Sequence, residues 1–351
     1  MNMSLRIAVI GLCHGKFYIE KILATPRAKL AAMVDITPDL ARSLGQEHGC
    51  AWFTSIDDLL RAGVADAAVL ALPTMLHAEY SVKCLDAGLH VLQEKPLCRN
   101  EQDAAMIHQA VRRSGKVFQV GFEMRSSGLH AAVMDHITRG DLGEVTNVWY
   151  NQHCMDLKGE MQNNWRASRA NMGGKFFDCS VHPMDLMRQW AGASVSRVAV
   201  LGNRRGRTGA QPEGLPQSAA IAMEYANGVR GTFNFGAVNE FRDESTFGVA
   251  GTTGRVQGSM FYPQGAGSYE LRTHRGERVG HIHLDASLTS PGHLGFAEQM
   301  PRFVGTVLDG EPNVCDFDAA YETHRLMAML DMALARGTVI GDADLPPPVN
   351  A

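Results

Sequence analysis

The chain has 351 residues, more than a single hydrophobic core usually serves, so two domains are expected. Its 45% hydrophobic and 20% charged residues are those of a globular enzyme and exclude extended disorder. A net charge of −4 with scattered basic residues excludes the cationic footprint that a nucleic-acid binder needs.

Arg204, Arg205 and Arg207 cluster among Gly, Pro and Gln residues, which reads as a solvated surface loop in preference to an anion site. No run reaches the roughly 18 apolar residues of a membrane span. Met1 leads directly into a strand-like Leu5–Ile10, without the charged and apolar regions of a signal peptide. Seven dispersed cysteines (Cys13, Cys50, Cys84, Cys98, Cys154, Cys179, Cys315) contain no C-x-x-C, which argues against a disulfide framework and a thiolate zinc site. Reduced thiols in the cytoplasm, with no nucleic-acid or membrane partner, are expected.

In chain order, Leu5–Ile10, Leu30–Val34, Ala67–Leu72, His90–Leu92 and Val117–Val120 read as buried strands. Between them Tyr18–Ala24, Pro38–His48, Ile56–Ala62, Leu76–Ala87 and Glu101–Ser114 read as helices. Strands alternating with helices build right-handed βαβ units, hence an α/β fold with a parallel sheet over residues 1–122. From 123 to 351 the pattern changes. A helix near Leu129–Arg139 and a strand near Glu144–Gln152 precede Gly-punctuated stretches at Ser196–Leu201, Ser218–Tyr225, Gly228–Phe235, Ser245–Ala250 and Arg255–Ser259. Tyr225-Ala226-Asn227-Gly228 and Ala250-Gly251-Thr252-Thr253-Gly254 read as hairpin turns, so this half is an antiparallel sheet domain. Helices at His293–Leu308 and Asp318–Ala335 close the chain, one of them expected to return to the first domain.

The first strand ends in Gly11-Leu12-Cys13-His14-Gly15-Lys16, where a full dinucleotide fingerprint would read G-x-G-x-x-G. Only Gly11 coincides. The context nevertheless fits, because the turn follows the first strand and opens a helix whose amides and dipole favour an anion. Gly11, Cys13, His14, Gly15, Lys16 and Phe17 are therefore expected at a cofactor, with Lys16 adding a cation. Asp35, 24 residues after Gly11, can accept hydrogen bonds from ribose hydroxyls, and its charge favours NAD over NADP. The alternative for Asp35 is a turn or a cap on the Pro38 helix, a role that suits Thr37 better.

Two segments make the pattern specific: Leu72-Pro73-Thr74 with His77, Ala87-Gly88-Leu89-His90-Val91 and Glu94-Lys95-Pro96, then Trp165-Arg166, Gly173-Gly174 and Asp178-x-x-x-His182-x-x-Asp185. The chain resembles the Gfo/Idh/MocA oxidoreductases along nearly its whole length, the Gly251–Gly254 hairpin and Ala319–Gly337 helix included. The resemblance implies a Rossmann domain, a C-terminal α/β domain on a large, mostly antiparallel sheet, and an active site in the cleft between them. It implies that Lys95 and His182 face the reacting carbon, that Asp178 supports them, and that Glu94 and Pro96 shape the nicotinamide pocket. A cis Lys95-Pro96 bond is expected. Leu72, Pro73, Thr74, His77, Glu94, Lys95, Trp165 and Arg166 are expected at the cofactor; Lys95, Arg125, His153, Asp178 and His182 are expected at the substrate. Arg125, His153, Trp165 and Arg166 serve structural contacts equally well.

Oxidising a secondary alcohol requires a base and a cation at one oxygen while hydride leaves the same carbon. A lysine ammonium stabilises the developing alkoxide, and an imidazole moves the proton near neutral pH. Asp178, His182 and Asp185 share a helix face, so either carboxylate is placed to orient the imidazole. The same trio is also a conceivable metal set, but no second cluster completes it; His281 and His283 alternate on a strand. No metal is expected.

The reading is an NAD-dependent oxidoreductase acting on a secondary alcohol or ketone of a sugar, inositol or related polyol. Two alternatives stand: a glycoside-cleaving enzyme that retains and recycles NAD, and a non-catalytic sugar or nucleotide sensor. A homodimer or homotetramer is expected, with Val229–Phe235 as a pairing strand, and loops Asn151–Met161 and Asn203–Pro216 are expected to set the substrate.

Overall fold

The computed structural model describes residues 4–155, 165, 168–172, 174–205, 214–239, 243–262, 266–273, 278–284 and 295–350. The chain divides into two compact units: Met1–Phe122 with Ala297–Tyr321 and Pro348–Ala351, and Glu123–Phe296 with Glu322–Pro347.

The first unit runs β1 (Leu5–Ile10), α1 (Leu12–Ala24), β2 (Ala28–Val34), α2 (Pro38–Glu47), β3 (Ala51–Phe53), α3 (Ile56–Ala62), β4 (Ala67–Leu70), α4 (His77–Asp86), β5 (His90–Glu94), α5 (Glu101–Ser114) and β6 (Phe118–Gly121). All neighbouring strands are parallel in the order β3-β2-β1-β4-β5-β6. The apolar runs explain this: every residue of β4 is buried, as are all of β1 but Arg6, because helices cover both faces of a parallel sheet. The strand order reverses between β1 and β4, and ligands of such sheets bind beyond the strands' carboxyl ends at that point. Gly11 and the Ala71–Thr74 loop lie there.

Local chemistry sets the helix ends. Ser55 accepts the Asp57 amide at 3.1 Å and Asn100 the Asp103 amide at 3.0 Å, capping α3 and α5. The first helix begins at Leu12, six residues before the sequence reading placed it. It has no side-chain cap of its own; instead the Asp35 carboxylate, 23 residues away, accepts the Leu12 amide at 2.8 Å. Gly15 lets α1 lie close on β1: a Cβ there would stand 2.7 Å from Val9 Cγ1. That is the packing task of the third fingerprint glycine, performed one position early.

The second unit carries α6 (Gly128–Thr138), β7 (Val145–Met155), α7 (Lys175–Ala191), β8 (Val195–Asn203), β9 (Ser218–Tyr225), β10 (Arg230–Asn239), β11 (Asp243–Gly251), β12 (Gly254–Tyr262), β13 (Ala266–Thr273) and β14 (Arg278–Leu284). After them come α8 (Phe296–Asp309) and the start of α9 (Phe317–Arg336), largely in the first unit; the rest of α9 and β15 (Ile340–Gly341) belong to the second. Among the described residues the sheet has nine strands in the order β14-β13-β12-β11-β7-β10-β9-β8-β15. The sheet is mostly antiparallel, as expected; among the described residues β7 and β10 form its one parallel pair. Parallel neighbours need a crossover, and α7, β8 and β9 provide it, with α7 packed on both strands.

The face under α7 is aromatic. Tyr150 of β7 stacks 6.1 Å from Phe247 of β11, Trp190 of α7 is 5.3 Å from Phe247, and Phe176 of α7 meets Phe235 of β10 edge-on at 5.3 Å. Gly228, at φ +87, turns the β9–β10 hairpin as expected. No helix among the described residues is long and apolar enough to cross a membrane.

The close approach of α1 to β1 makes Gly15→Ala costly. The substitution is expected to lose about 1–3 kcal/mol by overpacking in urea denaturation, and adding Val9→Ala is expected to restore most of it.

Candidate active site

In the first unit, the loops beyond β1, β4 and β5 are tied together by buried polar groups. Lys95-Pro96 is cis, as expected. Gln93, fully buried, accepts the Ser81 hydroxyl at 2.7 Å and donates to the Leu97 carbonyl at 2.8 Å. His77 places Nδ1 2.8 Å from the Pro96 carbonyl and Nε2 2.9 Å from the Leu72 carbonyl, joining the Leu72–Thr74 loop to the cis-proline turn. Burial pushes its imidazolium below the ordinary histidine range, and the two carbonyls pull the other way. His77, expected at the cofactor, is thus a strut whose ring nitrogens face the backbone.

Glu94 ends β5 with 8% exposure. Its Oε1 takes the Tyr18 hydroxyl at 2.6 Å and lies 3.4 Å from His14 Nε2, while Oε2 accepts the Lys95 amide at 3.1 Å. Burial alone would raise this carboxyl; His14, Lys95 and Tyr18 outweigh it and hold it at about 2. The carboxylate therefore fixes the backbone of Lys95.

Gly11 has φ +88, and a Cβ on it would stand 2.5 Å from the Ala71 carbonyl oxygen and 2.9 Å from Leu72 Cδ2, so only glycine fits this turn. Asp35 also accepts the Thr37 amide at 2.9 Å, so it forms the turn weighed as its alternative as well as meeting α1. Cys13 is exposed, Phe17 is 43% exposed, and the Lys16 ammonium sits 5.6 Å from the Phe17 ring centroid. Thr74 Oγ1 is buried with no hydrogen-bond partner among the described residues.

In the second unit, Gly174 (φ +91) is the N-cap of α7, which carries Asp178 in its first turn and His182 in the next. Pro183 stands inside the helix and lacks an amide hydrogen, which frees the Cys179 carbonyl from the helical ladder. Gln152 of β7 donates its Nε2 to that carbonyl at 3.4 Å, linking the strand to the turn that holds Asp178 and His182. His182 Nε2 faces Glu123 Oε1 at 3.6 Å, with side-chain exposures of 12% and 8%.

Asp185 is not the carboxylate at His182: it accepts Arg125 Nε at 2.7 Å and Nη2 at 2.5 Å, the Thr323 hydroxyl at 2.8 Å and Gln189 Nε2 at 3.0 Å. Burial would raise Asp185, and Arg125 outweighs it to lower the carboxyl. Arg125, 8% exposed, forms this buried pair with Asp185. Strand alternation places His153: Val148, Tyr150 and Cys154 are buried on the α7 side, so His153 projects from the opposite face, exposed, and Gln152 is the polar residue toward α7. Trp165 is half-buried, its carbonyl accepting the Ser168 amide at 3.2 Å. Arg166, Gly173, Arg207, the side chains of His281 and His283, and most of both expected substrate loops lie outside the described residues.

Tyr18, Gln93, Glu123 and Gln152 were not singled out from the sequence. Glu123 alone carried a signal, as a carboxylate two residues after the last Rossmann strand.

Residues 5–122 match the family model for the Gfo/Idh/MocA oxidoreductases, described as an NAD-binding Rossmann fold, and residues 130–257 match that family's C-terminal domain. The chain belongs to the Gfo/Idh/MocA oxidoreductase family. It is 25% identical over 323 residues to scyllo-inositol 2-dehydrogenase (NAD(+)) of Bacillus subtilis, covering 91% of each chain. It is 26% identical over 310 residues to dTDP-3,4-didehydro-2,6-dideoxy-alpha-D-glucose 3-reductase of Actinomadura kijaniata, covering 88% of this chain and 89% of that one. The crystal structure of myo-inositol 2-dehydrogenase from Lactobacillus plantarum superposes with a TM-score of 0.80 at 18% identity, over 96% and 99% of the two chains, a likeness of fold.

This Gfo/Idh/MocA chain is thus an NAD-dependent oxidoreductase, and its residues suit the cofactor. Gly11 leaves the backbone bare at the switch point against Ala71 and Leu72, Asp35 follows β2, and two residues beyond Leu72 the buried Thr74 hydroxyl has no partner among the described residues.

Two outcomes test the buried charges. Arg125→Met, which strands Asp185, is expected to cost about 3–5 kcal/mol in chemical denaturation, most of it recovered by Arg125→Met with Asp185→Leu. The Glu94 carboxyl titrates lower folded than unfolded, so its stabilisation is complete above the unfolded value of about 4.3 and is lost as pH falls from there toward 2. Acid unfolding of Glu94→Gln is expected to be shallower than wild type across that window.

Proposed function

We propose that this enzyme interconverts a secondary alcohol and ketone on a cyclitol or sugar, with Lys95 and His182 handling the charge and proton of the reacting oxygen. The observation that carries the reading is the imidazole of His182 held 3.6 Å from the buried Glu123 carboxylate on a helix that also presents Asp178. A buried carboxylate beside an imidazole orients the ring and stabilises its protonated form, as a base that must take and return a proton requires. Bound NAD supplies the hydride acceptor, or in reverse the donor.

The roles follow from chemistry. As hydride leaves the carbon, charge builds on its oxygen, and the Lys95 ammonium stabilises it. His182 removes the hydroxyl proton in oxidation and returns it in reduction. Glu123 is the carboxylate that supports His182, and Asp178 adds a polar group one turn away. The Lys95 backbone is locked by Glu94, so its side chain starts from a fixed anchor. The names of the two curated relatives, one a cyclitol dehydrogenase and one a sugar reductase, support the substrate class. Cytoplasmic residence is supported by seven dispersed cysteines with no C-x-x-C spacing, and a homo-oligomer is retained as part of the proposal.

His182→Asn and Lys95→Met are each expected to lower kcat by about 10²-fold or more, with the Kd for NAD of His182→Asn within about twofold of wild type. Steady-state NADH formation on a panel of inositols and pyranoses, paired with calorimetric NAD binding, reads both. Unchanged turnover in His182→Asn contradicts the assignment.

A further inference from the structure

The Cys179 carbonyl, left without its helical donor by Pro183, takes Nε2 of Gln152 at 3.4 Å. That bond fixes which way the amide is turned, because a primary amide donates only through its nitrogen and accepts only through its oxygen. Oε1 is therefore the atom turned from the carbonyl. It is buried and has no hydrogen-bond partner among the described residues. The neighbouring strands do not supply one: in register, Gln152 stands beside Phe235 of β10, which has no polar side-chain atom, and Ser245 of β11, whose hydroxyl pairs with that of Tyr150. A buried acceptor left unmatched is costly, and where one persists in a native protein it calls for a reason such as a role at the active site.

We propose that Gln152 is a specificity residue whose Oε1 accepts a hydrogen bond from a substrate hydroxyl on the ring carbon next to the reacting one. The inference rests on His182 meeting the reacting oxygen. His182 follows Cys179 by three residues, a rise of about 4.5 Å along the helix, so the amide that holds the Cys179 carbonyl stands at the same turn as the imidazole. An amide oxygen accepts and cannot donate. The position it faces therefore takes a hydroxyl and rejects a hydrogen, an ether, a keto oxygen or a phosphate oxygen. This narrows the substrate class to rings with vicinal hydroxyls, cyclitols and pyranoses, and excludes those deoxygenated or etherified beside the reacting carbon. The two ends of one side chain thus have separate tasks: the nitrogen completes α7, and the oxygen selects the substrate.

The test measures kcat/KM for the polyol that the enzyme turns over best and for its mono-deoxy and mono-O-methyl analogues at the two carbons flanking the oxidised one. Wild type is expected to disfavour both analogues at one of these carbons by about 10²-fold or more. Gln152→Leu combined with Pro183→Ala returns a helical amide to the Cys179 carbonyl, so that only the acceptor is lost. In that double variant the parent polyol is expected to fall about 10²-fold while the deoxy analogue stays within about threefold, which closes the gap between them. The ratio is read within one preparation, so a partly unfolded variant does not disturb it. Parent and analogue falling together, or a gap that survives the loss of Gln152, overturns the proposal. If neither the double variant nor Gln152→Leu alone folds, wild type decides: a 10²-fold penalty shared by both analogues at one flanking carbon supports the proposal, and equal kcat/KM for the parent and every analogue overturns it. A wild-type enzyme that forms no NADH with any polyol fails the proposed reaction itself, whereas turnover indifferent to the flanking hydroxyls fails this inference alone.

Discussion

Burying a carboxylate costs several kcal/mol unless its oxygens are matched, and in this enzyme the matching of Glu94 organises the cofactor half. One oxygen takes the Tyr18 hydroxyl and approaches His14; the other takes the Lys95 amide. A single ionised group thereby joins α1, β5 and the cis-proline turn. The joining is mutual: the strand end cannot shift without breaking contacts to the helix that opens the dinucleotide turn, and the helix cannot shift without exposing the charge. His77 and Gln93 do the same for the Leu72–Thr74 loop and the turn after Pro96 by meeting carbonyls that regular structure leaves unpaired.

The second unit solves a related problem with α7. A proline directly after His182 would weaken an ordinary helix, because a carbonyl loses its donor. Here that carbonyl belongs to Cys179, and Gln152 supplies the replacement from β7. Farther along, Arg125 and Asp185 form a buried pair completed by Thr323 of α9 and Gln189. Such pairs contribute less to net stability than to fixing one arrangement, and the arrangement they fix is the helix carrying Asp178 and His182.

Much of this was legible in the sequence. The alternation of apolar runs with amphipathic segments located five of the six parallel strands; β3 escaped because it has three residues, with Trp52 39% exposed. Glu101–Ser114 and Ile56–Ala62 matched to the residue because Asn100, Ser55, Gly63 and Gly115 punctuate them. The start of α1 was hidden since its cap is Asp35, a partner remote in sequence. The same cause hid the chemistry of Asp185: spacing puts it on the His182 face of a helix, but Arg125, 60 residues away, claims it in three dimensions. The face that His153 occupies was equally hidden, as one residue of register on a strand exchanges the two faces of a sheet. Motif residues can be named from spacing; which of two neighbouring polar groups meets which partner is decided by long-range packing.

The central claim is that the protein moves hydride between a carbon-bound hydroxyl and NAD. The most direct measurement incubates it with NAD and cyclitols or pyranoses deuterated at single ring carbons, then weighs the dinucleotide by mass spectrometry. The account predicts that label from one ring carbon appears in the reduced nicotinamide. Reduced dinucleotide that carries no deuterium from any ring position, or no reduction with any member of the panel, would contradict it.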